Sequence, residues 1–242
     1  KITEALKVLN NIYRLHLVAL KDLNLNYGHE KSIEKCLKDL IGRLITFLFL
    51  EKAGEQSDYD FVVSYGERLS CLLLTGALKK LGVKAQCMDS SEILITSEDF
   101  GNDKVLLSET EDQVERSVWP LLLSGIIPVM TGFFGATKNG VIATLGRGGS
   151  DYSATSLAYV LDAQEVILWK EVDGIYSMDP KKNKGAKFMA ELSYLQAIEL
   201  SKNGAKILHP DAIEPVMRKE IVVRVKNTFK PDLTGSKIWK GK

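Results

Sequence analysis

Leu9, Tyr13, Leu17 and Leu20 recur at helical spacing near the start of the chain and lay an apolar stripe along an amphipathic helix beginning at about Thr3. A polar stretch over 24–29 separates this helix from a second helical run, 32–50. From there the pattern alternates. Asp60 to Ser64 is a short apolar run that reads as a buried strand, and 66–81 reads as a helix stopped by Gly82. Val83, Ala85 and Cys87 alternate with polar residues as a strand does, and 93–96 is another candidate strand. The pattern then predicts a helix over 109–124, strands over 126–131 and 141–145, and a helix over 152–161. A strand over 165–172, a helix over 194–202 and a strand over 221–227 complete the series. Strands and helices taking turns predict an α/β fold, with a mostly parallel sheet covered by helices on both faces. In such sheets ligands gather at the carboxyl ends of the strands.

One of those strand ends carries the sequence Leu145-Gly146-Arg147-Gly148-Gly149-Ser150-Asp151-Tyr152. Strand, glycine loop and helix start is the arrangement in which bare N–H groups and a helix dipole hold an anion. Arg147 can grip a carboxylate or phosphate through two parallel hydrogen bonds. Asp151 beside an anion would be repelled unless it organises a cation or another catalytic group. The plainer alternative is a turn whose glycines satisfy geometry, with Ser150 or Asp151 capping the helix. The loop matches neither the GxxxxGK[ST] nor the GxGxxG phosphate fingerprint.

Composition narrows the classes. The 242 residues suffice for one large α/β domain or two smaller lobes, and 45% hydrophobic with 26% charged residues is that of an ordinary globule. Lys plus Arg number 32 against 31 for Asp plus Glu, so no bulk positive field recruits nucleic acid or an anionic membrane. The greasiest run, 44–50, is too short to span a bilayer. Cys36, Cys71 and Cys87 are odd in number and lack CxxC spacing, which fits structural thiols in a reducing cytoplasm better than a disulfide framework or a zinc site.

Four further segments sit at predicted turns. In Ser64-Tyr65-Gly66-Glu67-Arg68 a carboxylate could meet an ammonium group, or Glu67 could favour a helix dipole while Arg68 pairs on the surface. Thr131-Gly132-Phe133-Phe134-Gly135-Ala136-Thr137 reads as a glycine-rich loop. Trp169 to Lys181 runs from a strand through Asp173-Gly174 to Asp179-Pro180, with Trp169 as core and the rest as a solvated loop in the plainer reading. Gly204-Ala205-Lys206-Ile207-Leu208-His209-Pro210 offers a lysine to phosphates; its histidine fits a structural role, as do His16 and His29.

Taken in order, SYGERLS, TGFFG, TLGRGGSDYSA, WKEVDGIYSMDP, GAKILHP, VRVKNT and GSKI resemble aspartate kinase, a family of the amino-acid kinase superfamily related in fold to carbamate kinase. The resemblance covers essentially the whole chain. It implies a three-layer αβα sandwich with an amino-acid-binding lobe over about 1–145 and a nucleotide-binding lobe over about 146–242. It also implies transfer of the γ-phosphoryl of ATP, with Mg²⁺, to the side-chain carboxylate of L-aspartate. By the same resemblance Arg147 holds the substrate α-carboxylate and Glu67 its ammonium group, while Thr3 and Ser150 line the substrate site. Asp151 organises the active site, and Gly148, Gly149, Lys170, Glu171, Tyr176, Lys181, Lys206 and Ile207 stand at nucleotide positions. No metal-ligand residue is assigned.

Some positions depart from the family. Lys170-Glu171 replaces a frequent Thr-Asp, and Lys181 replaces arginine. The 242 residues contain neither the family's opening Lys-Phe-Gly-Gly strand nor its ACT domains, and the former is expected upstream of Lys1. The implied product is a cytoplasmic homodimer acting at the entry to lysine, threonine and methionine synthesis. The alternatives are a kinase for glutamate or acetylglutamate, or a non-catalytic ligand-binding homologue.

Overall fold

The computed structural model describes residues 2–50, 54–178, 183–202 and 208–241. The chain divides into two compact units, Lys1–Thr144 and Leu145–Lys242.

The first unit opens with α1 (Ile2–Asp22), α2 (Tyr27–Leu50) and α3 (Gln56–Lys80). Leu20 of α1, Leu37 and Ile41 of α2 and Leu69 of α3 form one apolar core, and Leu9, Leu44 and Tyr65 form a second along the same helices. Then come β1 (Ala85–Met88), a short 3-10 turn, β2 (Ile95–Thr96), α4 (Leu107–Ser117), α5 (Trp119–Leu123), β3 (Ile127–Met130), β4 (Phe134–Thr137) and β5 (Ile142–Thr144). β1 pairs in parallel with β3, β2 in parallel with β4, and β4 antiparallel with β5.

Three expectations are corrected in this unit. Residues 60–64 are not a strand but part of α3, which runs unbroken for 25 residues. A five-residue apolar window cannot tell a strand from a buried helix. The helix start upstream decides it, where the Asp58 carboxylate accepts the backbone N–H groups of Gly54 and Glu55. By length and composition α3 could cross a bilayer. Its buried Asp60 is tied to Gly101 and Thr144 by hydrogen bonds, while the buried Ser64 and Thr75 hydroxyls bond carbonyls of the helix itself. Second, 109–124 is two helices rather than one. Pro120 has no N–H to continue the ladder, and the chain breaks at Val118. Third, the stretch after Thr131 holds β4, all four of whose residues are buried. A Cβ on Gly135 would collide with the backbone oxygen of Leu94, so this glycine permits a close strand approach.

The second unit comprises α6 (Gly149–Val160), β6 (Glu165–Lys170), β7 (Ile175–Tyr176), β8 (Phe188–Met189), β9 (Glu191–Ser193), α7 (Tyr194–Lys202), α8 (Pro210–Arg218), β10 (Val222–Asn227) and β11 (Ser236–Trp239). Its main sheet has the order β6-β10-β11-β9, with β6–β10 and β11–β9 parallel and β10–β11 antiparallel. Val166 and Leu168 of β6 stand opposite Val223 and Val225 of β10, and all four are buried. Alternation at period two thus faces one side of the sheet inward. β7 and β8 form a separate antiparallel hairpin. The sequence pattern gives no element where α8 stands. Pro210 occupies the first turn, where its missing N–H costs nothing, and Ala212, Ile213 and Val216 are buried. Among the described strands four pairings are parallel and three antiparallel, and the fold is α/β.

Candidate functional site

In the second unit the glycine loop leads into α6. Gly146 and Gly148 have φ of +68° and +74°, the left-handed region that glycine enters without a Cβ clash. A Cβ on Gly148 would also stand 2.9 Å from the Cβ of His209, so the loop packs closely on the residue preceding α8. Gly148 is the N-cap of α6 and no side chain caps the helix, so neither Ser150 nor Asp151 plays that part. An uncapped N-terminus keeps its first-turn N–H groups and positive dipole end available to an anion. Arg147 and Ser150 are exposed beside it, while Gly149 is buried. Among the described residues Arg147 makes no ion pair, so its guanidinium is available for a ligand carboxylate or phosphate.

Asp151, in the first turn of α6, meets Lys170 at the end of β6. The Lys170 Nζ lies 2.6 and 2.7 Å from the two carboxylate oxygens. This pair brings together two positions that the sequence placed in separate motifs. It also removes the electrostatic objection to Asp151 near an anion, since the aspartate charge is balanced by a lysine at hydrogen-bond distance. Glu171 is exposed just beyond β6.

Tyr176 lies on β7, its ring edge-on to Phe188 of β8 with centroids 5.5 Å apart. Both rings line a cavity of about 520 Å³ shared with Asp173, Arg224, Gly235 and Lys237. Asp173 accepts hydrogen bonds from Asn227 at 2.6 Å and from Lys230 at 3.0 Å, and Lys230 and then Asn227 hold its carboxyl below the usual range. Sequence reasoning did not single out Asp173, Asn227, Lys230 or Phe188. Asp173 and Asn227 belong to the VDGIY and VKNT stretches, Lys230 and Phe188 to neither, and the Asp173–Asn227 pairing spans 54 residues. Lys181, Lys206 and Ile207 lie outside the described residues.

In the first unit Glu67 sits within α3, not at a strand end. It is half-buried, and burial pushes its carboxyl above the usual carboxylate range, offset in part by a hydrogen bond from the Gly132 backbone N–H. Arg68 is not a surface residue. Its guanidinium bonds Asp89 at 2.5 Å and the Ser64 hydroxyl, and lies 4.6 Å from the Phe134 ring centroid. Thr131, just before Gly132, is buried and its hydroxyl accepts the Ser90 N–H at 2.7 Å. The turn facing Glu67 is thereby held to Ser90. Thr3 is exposed within the first turn of α1, which begins one residue before it.

The chain is similar to known proteins along most of its length. The model of the amino acid kinase family matches residues 11–227. Aspartokinase 1, chloroplastic, of Arabidopsis thaliana is 35% identical over 234 residues, covering 96% of this chain and 40% of the relative. The aspartokinase of Rickettsia prowazekii (strain Madrid E) is 36% identical over 189 residues, covering 78% of this chain and 42% of that one. Among solved structures, E. coli aspartokinase III in complex with aspartate and ADP superimposes with a TM-score of 0.92 at 30% identity, covering 100% of this chain and 53% of that chain. The chain therefore spans about two fifths of the length of these relatives and about half of that solved structure.

Proposed function

The chain belongs to the amino acid kinase family, and on that premise we propose that it is the catalytic domain of an aspartate kinase. The reaction transfers the γ-phosphoryl group of ATP to the side-chain carboxylate of L-aspartate, giving 4-phospho-L-aspartate and ADP. The observation that carries the reading is the Asp151–Lys170 pair at the uncapped start of α6. Two anions must approach in line for this chemistry, so the protein's task is positioning and charge neutralisation. An uncapped helix terminus and a lysine fixed by a carboxylate supply both. The similarity to aspartokinases along nearly the whole chain supports aspartate as the acceptor.

In this reading Arg147 binds the α-carboxylate of L-aspartate through its planar fork, Ser150 adds a hydrogen bond, Glu67 takes the ammonium group, and Thr3 lines the substrate site. Gly148 and Gly149 offer backbone N–H groups to the phosphates. Lys170, held by Asp151, neutralises charge on the transferring phosphoryl group, and Lys181 and Lys206 add positive charge along the triphosphate. Tyr176 contacts the nucleoside, with Glu171 and Ile207 completing its surroundings. Among the described residues no group of three metal-ligating side chains gathers, and Mg²⁺ enters with ATP as part of the nucleotide substrate. A homodimeric, cytoplasmic enzyme belongs to the same proposal.

The test is an ADP-release assay, with hydroxamate trapping of the acyl phosphate, on the full-length product with Mg-ATP and L-aspartate. L-glutamate and N-acetylglutamate serve as competing acceptors. Turnover confined to aspartate is expected. Turnover confined to either competitor, or none with any acceptor despite measurable ATP binding, overturns the proposal.

A further inference from the structure

Cys71 and Cys87 come from different elements, the middle of α3 and the β1 strand, yet their Sγ atoms are 2.8 Å apart. In its thiol form Cys71 also donates to the Val129 carbonyl oxygen at 3.0 Å, which fixes its rotamer toward the strand layer. Cys71 is buried, whereas Cys87 is partly exposed and lines a cavity of about 500 Å³. Cys36, exposed on α2, lines the same cavity together with Arg43, Arg68 and Asp89. Three cysteines scattered through the sequence therefore come near one cavity of the first unit, which is open to small solutes at Cys87.

We propose that Cys71 and Cys87 form a redox-convertible pair, oxidised by hydrogen peroxide entering from this cavity to a disulfide that ties α3 to β1. The shared hydrogen bond lowers the Cys71 pKa and raises that of Cys87, so one ionisation leaves a thiolate beside a thiol. Transfer of the shared proton to Cys71 puts the thiolate on Cys87 at the cavity wall; it attacks one peroxide oxygen, the O–O bond breaks, and the departing hydroxide takes up a proton to become water. The resulting sulfenic acid is attacked by the second sulfur, the S–S bond forms, and the hydroxyl leaves as a second water with the remaining thiol proton. Two thiols are oxidised by two electrons and one peroxide is reduced to two waters. Cys36 takes no part in this step. The proposal does not depend on the catalytic function assigned above, and its readout is thiol chemistry alone.

The experiment treats the reduced full chain with a small molar excess of hydrogen peroxide, blocks remaining thiols by alkylation, and maps peptides without reduction. Of the three cysteines, Cys71 and Cys87 are expected to disappear from the alkylated pool together, in a single cross-linked peptide that dithiothreitol releases. Cys36→Ser should give the same cross-link. Cys87→Ser should abolish it and leave Cys71 to alkylate or to oxidise singly. A Cys36–Cys87 linkage, disulfides only between chains, or retention of all three thiols under peroxide that converts a free cysteine control overturns the proposal.

Discussion

A carboxylate placed in an anion-binding loop repels its ligand, and Lys170 removes that objection for Asp151 by holding both its oxygens. Lys170→Met removes the balancing charge and leaves Asp151 facing the phosphates. We expect kcat for phosphoryl transfer to fall by roughly a hundredfold or more, as for loss of one transition-state donor; a variant within a fewfold of wild type in steady-state assays would assign the charge elsewhere. Glu67 yields a prediction with a definite sign. Burial raises its pKa in the free protein, and an ammonium group docked on it would favour the charged form and lower it. Binding then releases protons, so affinity for L-aspartate should weaken as pH falls through the free-protein value. KM measured from about pH 8 down to about pH 5, where carboxylates titrate, should climb, and Glu67→Gln should flatten that climb. At this scale the sequence exposed which residue types were chemical, because Arg and Asp inside a glycine loop have no packing role. It did not expose their partners. Arg68 and Asp89 are 21 residues apart, Asp151 and Lys170 are 19 apart, and local pattern carries no information about such pairs.

Among the elements, α3 concentrates the consequences. Asp60 on its first turns is fully buried, and its carboxylate accepts the Thr144 N–H at 2.9 Å, the Thr144 hydroxyl at 3.0 Å, the Gly101 N–H at 3.1 Å and the Gln56 amide at 2.9 Å. The helix thereby fixes the end of β5, the strand from which the chain leaves for the glycine loop. Asp60→Ala would strand buried N–H groups, and we expect a loss of about 3–5 kcal/mol in urea unfolding; a cost below about 1 kcal/mol would mean that water replaces the carboxylate. Gly135→Ala sets a Cβ against the Leu94 carbonyl, and about 1–3 kcal/mol of destabilisation is expected by the same measurement. The sequence revealed α1 and α2 through long periodic stripes, and also α6, α7 and the strands β1, β3, β5, β6 and β10. The mistaken strand at 60–64 and the unnoticed β4 are short apolar windows in which period two and period 3.6 cannot be separated. β7, β8 and β9 have only two or three residues each, and their pairing is settled by tertiary contact.

Across the whole molecule the chain has two units with separate sheets. Arg147 is exposed and without an ion pair among the described residues, and the proposed function gives it the amino acid alone. Ligands that bind only the folded state stabilise it in proportion to the logarithm of their saturation, about 2.7 kcal/mol at a hundred times Kd. Mg-ATP and L-aspartate should therefore each raise the unfolding temperature of the wild-type protein when added separately. In Arg147→Ala the shift with Mg-ATP should persist and the shift with L-aspartate should disappear, because only the carboxylate grip has been removed. The unliganded Tm should change little, since the side chain is exposed and makes no ion pair among the described residues. Differential scanning calorimetry of the variant with each ligand distinguishes the outcomes. If the Mg-ATP shift vanished while the aspartate shift survived, Arg147 would belong to the triphosphate, and the assignment of the glycine loop's two neighbours, arginine to the amino acid and lysine to the phosphates, would have to be exchanged.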